Sequence, residues 1–254
     1  MTMFSKILGA GAVCGALALM SSPALAVNVG GVTFSAGDSF ETANLFESQP
    51  TAIGESLSGY GLVTSVDSVT TFCSGCELSL VFDGFTVTSL GDGNDFVFEG
   101  GSIRFYVDNT PDFGSSPSLA NASDGALWLE LAGHPFTMNG LTGTLIAEDV
   151  NFFTGTNFGQ GIFDVVGGMA ASNFDTNTRA SDGAITIENN EFGDLADFLL
   201  TSSFQLRANP TDPDHPVQGT GELSGFAVPE PATLGLMGIG LLGLGMMARR
   251  RRRA

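Results

Sequence analysis

The sequence predicts an antiparallel all-β body, a β-sandwich or jelly roll, between an N-terminal signal helix and a single C-terminal transmembrane helix. Three observations carry that expectation. Apolar residues recur with period two in about ten short runs, the spacing of half-buried strands. Gly, Asn, Asp and Pro fall between the runs at turn positions. No long amphipathic helical stretch interrupts them.

Residues 1–26 read as a secretory signal peptide. Lys6 supplies the positive start, residues 7–20 the apolar stretch and Ala24-Leu25-Ala26 the small-x-small cleavage pattern. The apolar stretch is short for a membrane span. Removal by signal peptidase starts the mature chain at Val27 and takes away Lys6, the only lysine. That excludes Schiff-base and P-loop lysine chemistry from the mature protein.

The acidic body, residues 27–227, opens with a strand-like run at 31–35 and a helical turn expected at 43–47. A run at 61–70 follows. Leu78, Leu80 and Phe82 then alternate with Ser79, Val81 and Asp83. Past Gly84, Phe85 and Val87 continue on the opposite parity, which marks a bulge. A short run at 96–99 leads to Ile103, Phe105 and Val107, alternating with Arg104, Tyr106 and Asp108. Leu127, Leu129 and Leu131 alternate with Ala126, Trp128 and Glu130. Runs at 141–148 and 161–166 come next, then a helical turn at 170–177, a strand at 184–188 and a further turn at 192–196. Phe198, Leu200, Phe204 and Leu206 share one face of a strand. Residues 208–216 hold three prolines and read as a loop before the last strand, 217–226.

Charge is distributed unevenly. The net value of −18 combines nine basic with 27 acidic residues. Lys6 and the run Arg249, Arg250, Arg251, Arg252 and Arg253 account for six of the nine basic residues. Arg104, Arg179 and Arg207 are left to face all 27 acids, a net −24. Such a body is no nucleic-acid binder, because neutralising phosphates requires clustered Lys and Arg. It is equally unsuited to docking on an anionic membrane surface.

At the other end, Val228-Pro229-Glu230-Pro231 precedes an uncharged, mostly apolar run, 232–248. As a helix this run would rise roughly 25 Å, at the short end of what spans a bilayer. Five glycines interrupt it, which membrane helices tolerate. The five arginines would remain cytoplasmic as a stop-transfer signal, which leaves the body in the periplasm on an inner-membrane-anchored precursor. Pro-Glu-Pro, a short Gly-rich apolar helix and a terminal Arg cluster together resemble the PEP-CTERM sorting signal of Gram-negative bacteria. The resemblance covers 228–254. It implies recognition of Pro229, Glu230 and Pro231 by an exosortase, a membrane transpeptidase. It also implies delivery to the cell surface or extracellular matrix, in association with exopolysaccharide or biofilm.

Candidate chemistry in the body is sparse. Cys73-Ser74-Gly75-Cys76 is the only thiol pair left after signal removal, too few for a four-cysteine zinc site. In an oxidising compartment a small disulfide loop is expected. His134 and His215 each precede a proline and are expected in surface loops. With no Gly-x-Ser-x-Gly elbow present, a hydrolytic triad is not expected. Among the carboxylates, Glu130 is the least arbitrary candidate for a glycosidase acid, on the face of Trp128. Gly91-Asp92-Gly93-Asn94-Asp95-Phe96-Val97 looks like one fragment of a calcium-binding nonapeptide, without the adjacent copies that complete such a site. The acid density leaves room for weak calcium binding; no cofactor or metal site is expected. Trp128 and Tyr106 lie on the parity opposite the Leu and Ile residues of their strands and are the carbohydrate-contact candidates.

The function expected is therefore a non-enzymatic exported surface or matrix protein. The alternative is a secreted carbohydrate-processing enzyme on a β-sandwich.

Overall fold

The computed structural model describes residues 26–228, apart from 36, 38, 92–93, 149, 152–156 and 190–194. The expected signal peptide, Pro229 to Pro231, the apolar run 232–248 and the terminal arginines lie outside the described residues. Among the described residues, no helix is long and apolar enough to cross a membrane.

The body is all-β and antiparallel. Its strands are β1 (Val27–Val29), β2 (Val32–Phe34), β3 (Ser39–Glu47), β4 (Ser56–Val66), β5 (Glu77–Leu90), β6 (Phe96–Asp108) and β7 (Ala126–Gly133). After them come β8 (Phe136–Met138), β9 (Leu141–Gly143), β10 (Leu145–Glu148), β11 (Asn157–Gly167), β12 (Ile185–Ile187), β13 (Phe198–Leu206) and β14 (Val217–Gly225). One helical turn, α1 (Ala171–Phe174), sits between β11 and β12. The turn expected at 43–47 is instead the second half of β3.

The main sheet runs β3, β4, β5, β6, β7, β11, β13, β14, and β14 pairs back to β3. Each strand neighbours the next one in the sheet, and the sheet closes. This is an up-and-down barrel, which removes exposed strand edges altogether. The sandwich or jelly-roll expectation is thus refined to closure. Period-two alternation looks the same in both, because it reports one buried face and not the curvature of the sheet.

One wall of the barrel is built from an interrupted strand. β7 pairs with β6 through Ser102↔Ala132, and β10 pairs with the same strand through Phe98↔Leu145. Both also pair with β11. The chain leaves the wall after Gly133, forms the hairpin β8–β9 outside, and re-enters in the same direction at Leu145. Eight strands therefore surround the interior at either level. β12 joins the excursion to form a three-stranded outer sheet.

The apolar core follows this plan. The largest cluster fills the barrel and one of its ends. A second, with Phe136, Ile146, Ile162 and Ile185, lies under the outer sheet. A third, with Phe46, Tyr60, Val81 and Phe113, lies on the outer wall. The parity change at Gly84 is present. Leu57↔Phe85 and Gly59↔Phe82 differ by one residue in register, and Leu80, Phe82, Phe85 and Val87 are all buried.

Candidate functional site

The interior of the barrel is the most distinctive region. Phe40, Leu45, Leu57, Leu80, Phe85, Ile103, Leu145, Leu200 and Leu223 surround a cavity of about 60 Å3. A second space of about 50 Å3 continues toward the end of β3, lined by Pro50, Phe96, Phe98, Ala147, Val150 and Val217. Glu47, Leu57, Leu145 and Ser202 line both spaces.

Glu47 is the last residue of β3, opposite Val217 on one side and Gly59 on the other. Its neighbour Phe46 turns outward and stacks on Tyr60 at 5.1 Å. The alternation then directs Glu47 inward. The space for its carboxyl depends on Gly219, where a Cβ would stand 2.6 Å from Oε1. Glu47 is 7% exposed. Among the described residues its carboxyl makes no hydrogen bond or ion pair. Burial without a partner disfavours the charged form and pushes its pKa from 4.5 up to about 7. At mildly acidic pH the site therefore offers a neutral acid, both donor and acceptor. Above pH 7 it offers a bare carboxylate in an apolar wall.

The sequence did not single out Glu47. Register shifts between Glu41 and Asn44 put Phe40 and Thr42, then Leu45 and Glu47, on the same inner face. That break in parity is why residues 43–47 read as a helical turn.

The opposite end of the barrel is filled. Phe34, Phe40, Trp128, Phe174 and Phe198 form a cluster with ring centroids 4.8–6.4 Å apart. Trp128 is fully buried, and its Nε1 donates to the Val29 carbonyl at 2.9 Å. The expectation of an exposed stacking ring at Trp128 is therefore corrected. A bulge in β7 turns this ring inward onto Phe40, where β1, β2 and α1 close the end of the barrel. Tyr106 is half-buried against the outer-wall cluster. Glu130 lies directly across from Arg104 in register, while the Arg104 guanidinium donates to Asp83.

Cys73 and Cys76 are joined as a disulfide with Cα atoms 5.2 Å apart. The loop lies at the filled end, where Val32 bridges Cys73. Asp197 is also buried there, at 2% exposure. Its carboxylate accepts the backbone N–H groups of Val165, Thr176 and Asn177 at 2.6–2.8 Å.

His134 does not occupy a surface loop, which corrects a second expectation, whereas His215 does lie in the loop before β14. His134 is fully buried where the chain leaves the barrel wall. Its Nδ1 lies 2.7 Å from Asp164 Oδ2 and its Nε2 lies 2.8 Å from the Glu188 carbonyl. Burial opposes the imidazolium, but the Asp164 carboxylate outweighs it and the pKa is raised. With both ring nitrogens engaged, neither is free to activate a nucleophile. His215 is half-buried; its Nδ1 meets Asp212 Oδ2 at 2.8 Å, the same oxygen that accepts the Tyr60 hydroxyl at 2.9 Å.

Of the calcium-like fragment, Asp92 and Gly93 lie outside the described residues, and Gly91 N–H donates to the Asp95 carbonyl at 2.9 Å across a turn. A different acidic grouping emerges instead. One carboxylate oxygen each from Glu77, Asp108 and Asp112 lies within 4.8 Å of the others. Glu77 Oε1 already accepts two backbone N–H groups, from Asp112 and Phe113. Such groupings occur on many acidic surfaces without an ion.

The chain leaves the described barrel at Val228. Asn173 of α1 holds it there: Val228 N–H donates to the Asn173 carbonyl at 2.7 Å, and Asn173 Nδ2 donates to the Val228 carbonyl at 3.0 Å. Residues 227–253 match the family model of the PEP-CTERM protein-sorting motif. No curated protein and no solved structure matches the chain.

Proposed function

We propose that this PEP-CTERM protein is a non-enzymatic barrel delivered to the cell surface or matrix, with its filled end toward the sorting tail. The sorting motif marks an exported protein processed by exosortase, a membrane enzyme. One observation carries the rest of the reading: Val228, one residue into the motif, is hydrogen-bonded to α1 at the filled end. Val27 begins at that end too, since Trp128 bonds Val29. Glu47 lies at the other end of the neighbouring strands, with Val217 opposite it and Gly225 at the far end of β14. The separation is about 25 Å along the strand. A tail held by the sorting machinery thus keeps the Glu47 end turned away from the attachment point.

The non-enzymatic part of the reading is supported by the engaged nitrogens of His134, by the Cys73–Cys76 disulfide and by an interior wall with a single titratable side chain. Association with exopolysaccharide belongs to this proposal as the setting of such surface proteins; it rests on the sorting motif, not on a built sugar site.

The test is fractionation of producing cells into inner membrane, outer membrane and matrix, with Pro229, Glu230 and Pro231 replaced by alanine in parallel. The reading expects the native body at the surface or in the matrix at reduced size. The variant should accumulate, unprocessed, in the inner membrane. Identical size and location for both chains would refute it.

A further inference from the structure

We propose that the barrel lumen is a binding site for a small amphiphilic amine, with its alkyl part among Leu57, Leu80, Phe85 and Leu145 and its ammonium group on Glu47. This goes beyond delivery to the surface and gives the delivered barrel a ligand.

The argument starts from an unbalanced group. Glu47 is more than nine-tenths buried, and among the described residues no donor reaches its carboxyl. Buried carboxylates normally have partners, because stripping water from an uncompensated charge is costly. The two hydroxyls nearby are engaged: Thr42 Oγ1 accepts from Gly221 N–H at 2.9 Å, and Ser202 Oγ lies 3.4 Å from the Gly159 carbonyl. Among the described residues, no other titratable side chain lines either space. The complement to Glu47 therefore comes from outside the described barrel, as water that enters the cavity or as a ligand's donor or cation that displaces it.

The rest of the lumen states what that cation is attached to. The walls are aliphatic and aromatic, so a strongly hydrated metal ion would find one carboxylate and no other charged ligand. An ammonium group on a short hydrocarbon chain satisfies both parts. The cavity of about 60 Å3 has room for roughly four to six water-sized groups, and the adjoining space of about 50 Å3 extends it. That is the scale of a chain of about six carbons. With 26 acids against three arginines in residues 27–227, the body's field draws cations in and turns anions away. A fatty carboxylate of the same length would be repelled by that field and by Glu47. Loss of the carboxyl proton through pH 7 agrees with this choice, since it turns the site from a neutral acid into a counter-ion.

The experiment is isothermal titration of n-hexylamine into the full-length chain in lipid nanodiscs, with empty nanodiscs subtracted. 1-Hexanol and hexanoate serve as neutral and anionic comparators, each at pH 6 and pH 8. Saturable 1:1 binding of hexylamine is expected, about tenfold tighter at pH 8 than at pH 6, as Glu47 ionises around pH 7. Hexanoate should bind at least about tenfold more weakly than the amine. In E47Q the amine should lose this advantage and its pH dependence, while hexanol changes little. Ser202→Leu, which narrows the lumen without changing charge, should weaken both hexylamine and hexanol.

The proposal is overturned if hexylamine gives no saturable heat, or if hexanoate binds equally. Equal amine affinity in E47Q would also overturn it, because attraction would then come from the acidic surface. Unchanged binding in the Ser202→Leu protein would locate the site outside the lumen, whether or not E47Q folds.

Discussion

The two ends of the barrel solve the same problem in opposite ways. Each buries a carboxyl group within an apolar setting. At the filled end, Asp197 accepts three backbone N–H groups, and five aromatic residues pack around the neighbouring space. At the other end, Glu47 has no such donors among the described residues, and cavities remain beside it. One end is built for stability, where the chain enters and leaves. The other carries a destabilising group and empty volume, an arrangement found where stability is exchanged for function. Position in the fold matters here more than residue type.

The strongest test of this contrast removes packing from the filled end. Trp128→Ala should destabilise the protein by about 4 kcal/mol, from lost burial and the cavity left behind. Chemical denaturation measures it; a loss below about 1 kcal/mol would mean the end is not close-packed. Next comes Asp197→Ala, which strands up to three buried or half-buried N–H donors and should cost about 3 kcal/mol. A neutral effect would remove the distinction between the two carboxyl groups.

Glu47→Gln should act with the opposite sign. Its folded pKa of about 7 lies above the ordinary 4.5. The unfolded state therefore releases its proton first as pH rises. The resulting penalty is absent below about pH 4.5, grows toward pH 7 and is complete above it. Removing the carboxyl should raise stability by about 2–3 kcal/mol at pH 8 and by little at pH 4. Denaturation midpoints at the two pH values decide the matter; equal effects at both would contradict the uncompensated burial.

Much of the body was legible because its strands alternate cleanly. The Leu78–Val87 parity switch and the inward face of Leu129 and Leu131 appear as read, whereas a bulge places Leu127 opposite Tyr106 on the outer wall. Closure into a barrel was not legible, because it depends on β14 returning to β3 across more than 160 residues. Trp128 was misread for a physical reason. A bulge opposite Phe105 and Tyr106 breaks the alternation of β7, so Trp128 turns inward with Leu129, onto Phe40 and beneath β1, β2 and α1, elements too short to announce themselves. His134 was misread because a His-Pro pair does mark a departure from the strand, but the departure is roofed by the outer sheet. Glu47 was hidden by bulges that shift the inward register of β3 between Thr42 and Leu45. Gly59 of β4 and Gly219 of β14 sit inside strands and show no pattern in the sequence. Their role is steric: a Cβ at Gly59 would clash with the Phe46 carbonyl and the Phe82 ring, and one at Gly219 with Glu47.

The most direct measurement of the central contrast is the ionisation of Glu47 itself. Carbon-detected NMR of the side-chain carboxyl, assigned by its disappearance in Glu47→Gln, follows that ionisation from pH 3 to 9. The account predicts a midpoint near 7, shifted downward when n-hexylamine is added. A midpoint near 4.5 that the amine leaves unmoved would contradict it, because Glu47 would then be hydrated or already paired.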